Sequence, residues 1–297
     1  MRKIVKWLGI ALASVITLVF ALAGMLILRG GALLNATYDV QPAPVRISTD
    51  PEAIERGEYI FAAACAGCHN MDLSGGVVLD DPAIGFIAAS NLTSGQGGVG
   101  GIYTDADFVR AIRHGVGPDG KPLVLMPSQA YWYFSDEELA AVIAYVKSVP
   151  AVNNTPGEVN IKPMGRILLA LGVLDVLAAN RIDHDAPRPP APPRAVTAEY
   201  GEYLVNTNDC RACHGPDLTG AQPPEPGAPR APNLTSSGEL AGWSAAEFIA
   251  TIRTGVSPQG HTLDPNFMPW PDYANLNDDD LTAIFLYLQS QPAGNSK

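Results

Sequence analysis

The sequence Cys65-Ala66-Gly67-Cys68-His69 is repeated, in the same pattern, as Cys210-Arg211-Ala212-Cys213-His214. The residues before the two motifs also correspond, because Gly57-Glu58-Tyr59 precedes the first and Gly201-Glu202-Tyr203 precedes the second. Self-similarity of this kind indicates a structural unit that occurs twice along the chain. We call the two units the first copy (about residues 50–150) and the second copy (about residues 196–293).

The correspondence continues on the C-terminal side of each motif. The matched segments, first copy and then second, are Asp72-Leu73-Ser74-Gly75 and Asp217-Leu218-Thr219-Gly220, Asn91-Leu92-Thr93-Ser94 and Asn233-Leu234-Thr235-Ser236, Ile112-Arg113 and Ile252-Arg253, Gly115-Val116 and Gly255-Val256, and Met126-Pro127 and Met268-Pro269. A residue with the same role in both copies is therefore expected within these segments.

Each copy is predicted to be mostly helical. Ser135-x-x-Glu138 and Ser244-x-x-Glu247 are capping-box patterns that begin helices. Asn277 is expected to cap the last helix, and Asp50 and Pro51 to begin the helix before the first motif. Strands have little support, because few runs alternate polar and apolar residues. The predicted fold class is all-α.

An apolar segment lies at the N-terminus. Trp7 to Leu28 is 22 residues without a charge, and a membrane-spanning helix needs about 20. Arg2, Lys3 and Lys6 precede it, so the positive-inside rule predicts a cytoplasmic N-terminus and an exported body. The alternative is a cleaved signal peptide, since Ala21-Leu22-Ala23 resembles a cleavage site. Both interpretations export the body, and the uncleaved anchor is preferred because the apolar run continues to Leu28.

Two segments separate the copies. Residues 164–180 are mostly apolar and are expected either to form a helix buried between the copies or to dock on the membrane or a partner. Residues 187–193 contain five prolines, which predicts an extended spacer. The net charge of −11 argues against nucleic acid as a partner, because phosphates are bound by Lys and Arg.

Cys-x-x-Cys-His is the attachment signature of c-type haem. Cysteines three residues apart lie on one face of a helix, where both reach the vinyl groups of one porphyrin, and His69 or His214 then faces the iron. Zinc or a redox dithiol is the alternative, but zinc needs further Cys or His ligands at finger-like spacing. His114 and His261 are the remaining histidines of the two copies, and they do not align.

The repeat also predicts the second axial ligand. Met126 and Met268 correspond, each is followed by proline, and each precedes the last helix of its copy. Thioether sulfur opposite histidine is a known haem ligation. The alternative is that both methionines fill gaps in a core. His114, His184 and His261 are expected at the surface.

These motifs resemble class I cytochrome c domains arranged in tandem, as in membrane-anchored dihaem c-type cytochromes. The resemblance implies a compact fold of about three to five helices around each haem. It divides the chain into an anchor and tether (1–45), a first cytochrome c domain (46–152), a connecting helix and Pro-rich linker (153–195), and a second cytochrome c domain (196–297). In that family a proline carbonyl often orients the axial histidine; Pro232 stands at this position in the second copy and Ser90 in the first.

The expected cofactors are two haem c. Covalent attachment falls to Cys65, Cys68, Cys210 and Cys213, and axial ligation to His69, Met126, His214 and Met268. Arg113 and Arg253 correspond as well. They either contact haem propionates, since Arg pairs well with carboxylates, or are solvated helix charges.

With both axial positions filled, the expected function is single-electron transfer at the periplasmic face of the cell membrane, without substrate chemistry. Expected partners are redox proteins: a dehydrogenase, a quinol-oxidising complex, a terminal oxidase or a soluble cytochrome. The alternative is a dihaem peroxidase-like enzyme, which needs an open or displaceable ligand on one iron. A sensor module is a third class, although no signalling domain is recognised in the sequence.

Overall fold

The computed structural model describes residues 2–223 and 227–293, and within them the chain is mostly helical. The outer ends of the predicted first and last segments, residue 1 and residues 294–297, lie outside the described residues. The helices are α1 (Arg2–Leu34), α2 (Pro51–Ala64), α3 (Ala66–His69), α4 (Asp105–His114), α5 (Ser128–Tyr131), α6 (Asp136–Ser148), α7 (Pro163–Ala170), α8 (Ala198–Thr207), α9 (Cys210–His214), α10 (Ala245–Thr254), α11 (Trp270–Tyr273) and α12 (Asp278–Ser290). A 3-10 turn, Ala178–Asn180, follows α7.

The helix starts follow the predicted caps. Ser135 Oγ accepts the Glu138 N–H at 3.0 Å, and Asn277 Oδ1 accepts the Asp280 N–H at 2.8 Å. Ser244 begins α10 through a reciprocal capping box. The helix after Asp50 begins at Pro51 as predicted, but the Asp50 side chain makes no capping hydrogen bond.

The same helix crossing forms the core of both copies. α2 packs on α6 in the first copy, and α8 packs on α12 in the second. The helices approach most closely at Gly57 and Gly201, where an added Cβ would overlap the carbonyl oxygens of Ala141 and Ala283. Only glycine permits such a close approach of two backbones. The crossing brings the chain to the start of each cysteine motif.

The predicted helical fold class is confirmed, and a small antiparallel sheet that was not predicted adds to it. Strands β1 (Gly76–Asp81) and β2 (Gly85–Ala89) form a hairpin in the first copy, and β3 (Asn160–Ile161) pairs with β2. The corresponding segment of the second copy, residues 221–232, contains five prolines. Proline donates no backbone hydrogen bond, so this sequence is unsuited to a hairpin ladder.

The predicted helix within residues 164–180 is shorter than expected, and its expected place between the two copies is wrong. It ends at Ala170, before Gly172 with φ 71°. α7 packs against α1, where an added Cβ on Gly30 would overlap the Arg166 carbonyl. Leu169, Val176 and Leu177 form a small cluster against the end of α1. The apolar character of this segment serves contact with the N-terminal helix.

The two copies contact each other through a reciprocal pair of hydrogen bonds. Tyr59 of the first copy donates its hydroxyl proton to Asp280 of the second at 2.6 Å. Tyr203 of the second copy donates to Glu138 of the first. Tyr59 and Tyr203 occupy the same position of the repeat, as do Glu138 and Asp280. The contact is therefore pseudo-symmetric, and we call these four residues the tyrosine–carboxylate pairs.

Each hydroxyl in these pairs also accepts a backbone hydrogen bond. The Ser135 N–H donates to Tyr203 at 3.0 Å, and the Asn277 N–H donates to Tyr59 at 2.9 Å. Each tyrosine thus contacts the first turn of the last helix in the opposite copy. Arg56 breaks the symmetry, because it forms an ion pair with Glu138 while Tyr200 occupies its position in the second copy.

Two candidate haem sites

The cysteine motifs form short helices at the end of the first helix of each copy. In the first copy the chain turns at Cys65, whose N–H donates to Phe61 O at 2.9 Å, and α3 follows directly. In the second copy Asp209, with φ 54°, begins α9. Cys65 and Cys210 pack against the apolar cores of their copies, and this burial raises the pKa of both thiols to about 12.

Each motif histidine is held by a backbone carbonyl. His69 Nδ1 lies 2.9 Å from Ser90 O, and His214 Nδ1 lies 2.9 Å from Pro232 O. An Nδ1–H donated to a carbonyl leaves Nε2 as the nitrogen able to bind a metal. Burial lowers the pKa of both imidazoles, which favours the neutral ligand form. Ser90 takes the place of Pro232 because the interaction uses only the backbone.

The second copy encloses a cavity of about 420 Å³ around its motif. Cys210, Cys213, His214 and Met268 all line it, so the structure brings the four predicted site residues of this copy together. The rest of the lining is mostly apolar and includes Leu234, Leu240, Trp243, Phe248 and Ile252. In the first copy Cys65 and Met126 pack against the same core cluster, and Leu125 before Met126 has φ 68°.

The residues of the second copy fit haem c. The apolar cavity suits a porphyrin, two cysteines lie on its wall for attachment, and an oriented imidazole and a thioether are present as axial donors. Cys65, Cys68, His69 and Met126 would hold one group, and Cys210, Cys213, His214 and Met268 the other. Bound there, haem c supplies reversible one-electron oxidation and reduction of iron. Axial ligation by the two methionines stays a prediction.

The matched arginines point at the last helix of their own copy. Arg113 is buried; it donates to Phe134 O at 3.1 Å and pairs with Asp136 at 3.0 Å. Arg253 donates to Ala274 O and pairs with Asp278 at 2.8 Å. Both guanidinium groups therefore fix the turn that begins the last helix. The alternative of a solvated helix charge is wrong for Arg113, which is buried, and contact with a haem propionate stays a prediction for both.

One histidine prediction is wrong. His114 is buried, and its Nδ1 lies 3.1 Å from His184 Nδ1 in the linker, which is itself half-buried. Burial lowers the pKa of His114 to about 4 and also lowers the pKa of His184, which favours neutral rings that share one hydrogen bond. His261 is exposed as predicted. A histidine at the end of an amphipathic helix gives no local sign of a partner 70 residues away.

Both attachment helices lie at the contact between the copies. Gln129 of α5 donates to Asp209, at the start of α9, at 2.9 Å. Gly67 of α3 packs against the carboxylate of Asp272 in α11, which an added Cβ would overlap. Burial raises the pKa of Asp209 to about 6, against the opposing effects of Arg181 and Gln129. The structure thus places the two cysteine motifs next to one interface.

Sequence reasoning missed the tyrosine–carboxylate pairs. The repeat contained sequence evidence for these pairs. Tyr59 matches Tyr203, and Glu138 matches Asp280, each being the third residue after a helix cap. Nothing in one copy alone indicates that the partner belongs to the other copy.

The geometry defines a protein with two cytochrome c domains, and comparison with known families agrees. Residues 52–146 match the family described as cytochrome c oxidase, cbb3-type, subunit III, and residues 198–292 match cytochrome c. The chain is a dihaem c-type cytochrome: it binds two haem c and is an electron-transfer protein.

Several curated proteins resemble most of the chain. The fructose dehydrogenase cytochrome subunit of Gluconobacter japonicus is 29% identical over 88% of this chain and 57% of its own length. The gluconate 2-dehydrogenase cytochrome c subunit of Pantoea cypripedii is 29% identical over 80% of this chain and 59% of its own length. A dihaem cytochrome c-type protein of Cereibacter sphaeroides is 26% identical over 91% of this chain and 96% of its own length.

The chain thus spans less than two thirds of the two dehydrogenase subunits, and nearly the whole of the dihaem cytochrome. The peroxidase alternative finds no support in these relatives.

Proposed function

We propose that the chain passes single electrons from a dehydrogenase to a further redox protein at the periplasmic face of the membrane. The observation that carries this proposal is the position of the two attachment helices beside one interface, through Gln129–Asp209 and Gly67–Asp272. Two sites held next to each other can form one route through the protein. The dehydrogenase partner is suggested by relatives that are cytochrome subunits of dehydrogenases.

The proposed route needs axial ligands that keep substrates from the iron. His69 with Met126, and His214 with Met268, are the proposed pairs. Filled axial positions leave electron transfer between surfaces as the available chemistry, and methionine raises the reduction potential. The residues of the chain contribute orientation of the imidazoles, burial of the sites and rigid spacing between the copies.

The proposed location rests on the N-terminal helix. α1 is long and apolar enough to cross a membrane, and 0% of its most apolar window is buried within the chain. The basic residues before it favour a cytoplasmic N-terminus. In this arrangement α1 is a single-pass anchor, residues 46–152 and 196–297 are the two cytochrome domains, and residues 153–195 connect them on the periplasmic side.

Purification from native membranes in mild detergent tests the proposal. We expect a dehydrogenase to co-purify, and its substrate to reduce both haems in an anaerobic spectrum. A Cys210→Ala/Cys213→Ala chain is the matched control, because it retains the first site and should show half the haem content and half the absorbance change. Haems that stay oxidised with the substrate of every co-purifying dehydrogenase would exclude the proposed donor class.

A further inference from the structure

The segment that follows β3 packs along the C-terminal end of α1. α7 lies close to α1 at Gly30, where an added Cβ would overlap the Arg166 carbonyl. On the same face of α1, Leu26 and Ile27 are half-buried, whereas Met25 and Leu28 on other faces are exposed. Leu26 and Ile27 belong to the uncharged run that ends at Leu28. The face of α1 that α7 covers therefore begins within the uncharged run, which is apolar enough to lie in lipid.

Apolar side chains remain exposed on this segment. Met164 is 50%, Leu171 57% and Val173 55% exposed, although Leu169 and Leu174 of the same segment belong to the cluster that contacts Leu33 and Leu34 of α1. Residues 163–174 contain one charged side chain, Arg166, and its Nε donates to Ile161 O at 2.9 Å. We call residues 163–174 the α7 segment. A mostly apolar surface beside a membrane helix is unsuited to water.

The length of the segment excludes a second crossing. α7 has eight residues, and at about 1.5 Å per residue it extends roughly 12 Å, far less than the hydrocarbon core. The segment begins after β3 and returns to the body at the 3-10 turn Ala178–Asn180. Asp175, the next charged residue, pairs with Arg181 at 2.7 Å outside the segment. An apolar element of this length suits the boundary between headgroups and acyl chains.

We infer that the α7 segment inserts into the outer leaflet of the bilayer beside α1, so that lipid covers Met164, Leu171 and Val173. The inference rests on the proposed anchoring by α1. The contact with α1 favours lipid over a partner protein. The face of α1 that the α7 segment covers begins within the apolar run of that helix. Arg29, exposed beside the α1 and α7 contact, would face the phosphates of anionic lipids, whereas Lys162 donates to Pro82 O at 3.1 Å. Insertion would give the cytochrome body a second point of attachment and a fixed orientation on the membrane.

Cysteine accessibility tests this inference on the full-length, haem-loaded chain. The four native cysteines are consumed by haem attachment, so single Met164→Cys, Leu171→Cys, Val15→Cys and Ile102→Cys variants each carry one free thiol. Each variant is placed alone in nanodiscs of phosphatidylethanolamine and phosphatidylglycerol, treated with a membrane-impermeant maleimide, and followed by intact mass. Ile102 is the matched control, because it is an apolar residue that is 78% exposed on the first copy.

We expect Val15→Cys to resist labelling and Ile102→Cys to label rapidly. Labelling at Met164→Cys or Leu171→Cys at least ten-fold slower than at Ile102→Cys supports insertion, because the chain itself leaves both positions half-exposed. Protection at Val15 with rapid labelling at both 164 and 171 overturns the inference and leaves the anchor standing. Rapid labelling at Val15 overturns the anchor and the inference together. If the apolar surface instead binds a partner protein, positions 164 and 171 will label rapidly, because each nanodisc holds only this chain.

Discussion

The two copies position their motif histidines in the same way, but the segments around the two histidines differ. In the first copy residues 76–89 form a hairpin that leads to Ser90, whereas in the second copy residues 221–232, which lead to Pro232, contain five prolines. The distance from histidine Nδ1 to the carbonyl is nevertheless 2.9 Å in both. The comparison shows that the unit preserves backbone positions at the site and allows the surrounding segments to diverge.

The surroundings differ in charge as well. Arg113 is 2% exposed and lies beside Arg188 and Asp136, whereas the side chain of Arg253 is 32% exposed. Asp209 precedes the second motif, where the first copy has Ala64. Burial of charge and apolarity tune iron centres. We therefore expect the two haems to have different reduction potentials.

Replacing the methionines has the largest expected effect. Met126→Ala and Met268→Ala should each remove about half of the sulfur-to-ferric absorption and let one haem bind carbon monoxide. The potential of that haem should fall by a part of the roughly 0.8 V range that axial ligands cover. Visible spectra and redox titration measure this. Met71→Ala is the control, since Met71 is 51% exposed and has no counterpart in the second copy. An unchanged band in either variant removes that methionine as a ligand.

The helix crossing should respond equally in both copies. Gly57→Ala and Gly201→Ala each place a Cβ on the carbonyl oxygen of the facing helix. Overpacking of this kind costs about 3 kcal/mol when the backbones resist movement. Gly101→Ala is the control, because its Cβ would lie 3.6 Å from Ser94. Denaturant unfolding of the holoprotein measures the difference. A loss in one copy only would mean that the two crossings are not equivalent.

The tyrosine–carboxylate pairs should respond unequally. Tyr59→Phe leaves Asp280 buried without its hydroxyl donor, which costs about 2 kcal/mol in the free energy of unfolding. Tyr203→Phe should cost about 1 kcal/mol, because Glu138 keeps its ion pair with Arg56. The double-mutant cycle with Arg56→Met checks the reason: without Arg56, the cost of Tyr203→Phe should rise to that of Tyr59→Phe. Equal costs in the presence of Arg56 would contradict the asymmetry.

The sequence predicted features that depend on neighbours along the chain. The caps at Ser135, Ser244 and Asn277, the cysteine helices and the repeat all follow from local spacing. Contacts between distant segments were not predicted. His114 with His184, and α7 with α1, join segments whose own patterns are satisfied equally by solvent or by other partners.

The candidate site was predicted by comparing one copy with the other. The structure brings Met268 to the cavity of the second motif, and the residue was selected because Met126 matches it. The hairpin of the first copy was missed for the opposite reason. Residues 76–90 have no counterpart of similar composition in the second copy, and their β-bulge between Val77 and Leu79 interrupts simple alternation.

Asp209 should make the stability of the second copy depend on pH. Its folded-state pKa of about 6 lies above the ordinary value of 3.8, so the folded state binds the proton more tightly than the unfolded state. The contribution of Asp209 to the free energy of unfolding is therefore present at low pH, and it is lost as the pH rises from about 4 to 6. Asp209→Asn should therefore stabilise the protein by about 1 to 2 kcal/mol at pH 7, and have no effect near pH 4.

Asparagine is the suitable replacement at 209, because it also adopts positive φ and still accepts from Gln129. Ala64→Asn at the position before the first motif is the matched control, and it should bring no such pH-dependent gain. A stabilisation by Asp209→Asn that is the same at pH 4 and pH 7 would contradict burial of the carboxylate as its cause. Denaturant unfolding at the two pH values measures both variants.

Pro232→Ser should have the smallest effect, because it gives the second copy the residue of the first. The His214 Nδ1 interaction uses the carbonyl of residue 232, and the serine at position 90 already holds His69 at the same 2.9 Å. Stability should fall by less than about 1 kcal/mol, through the greater freedom of the unfolded chain. The haem spectrum and the midpoint potential should stay unchanged. A shifted potential would mean that the proline ring, and not only its carbonyl, positions the imidazole, and that the two sites are less alike than their distances indicate.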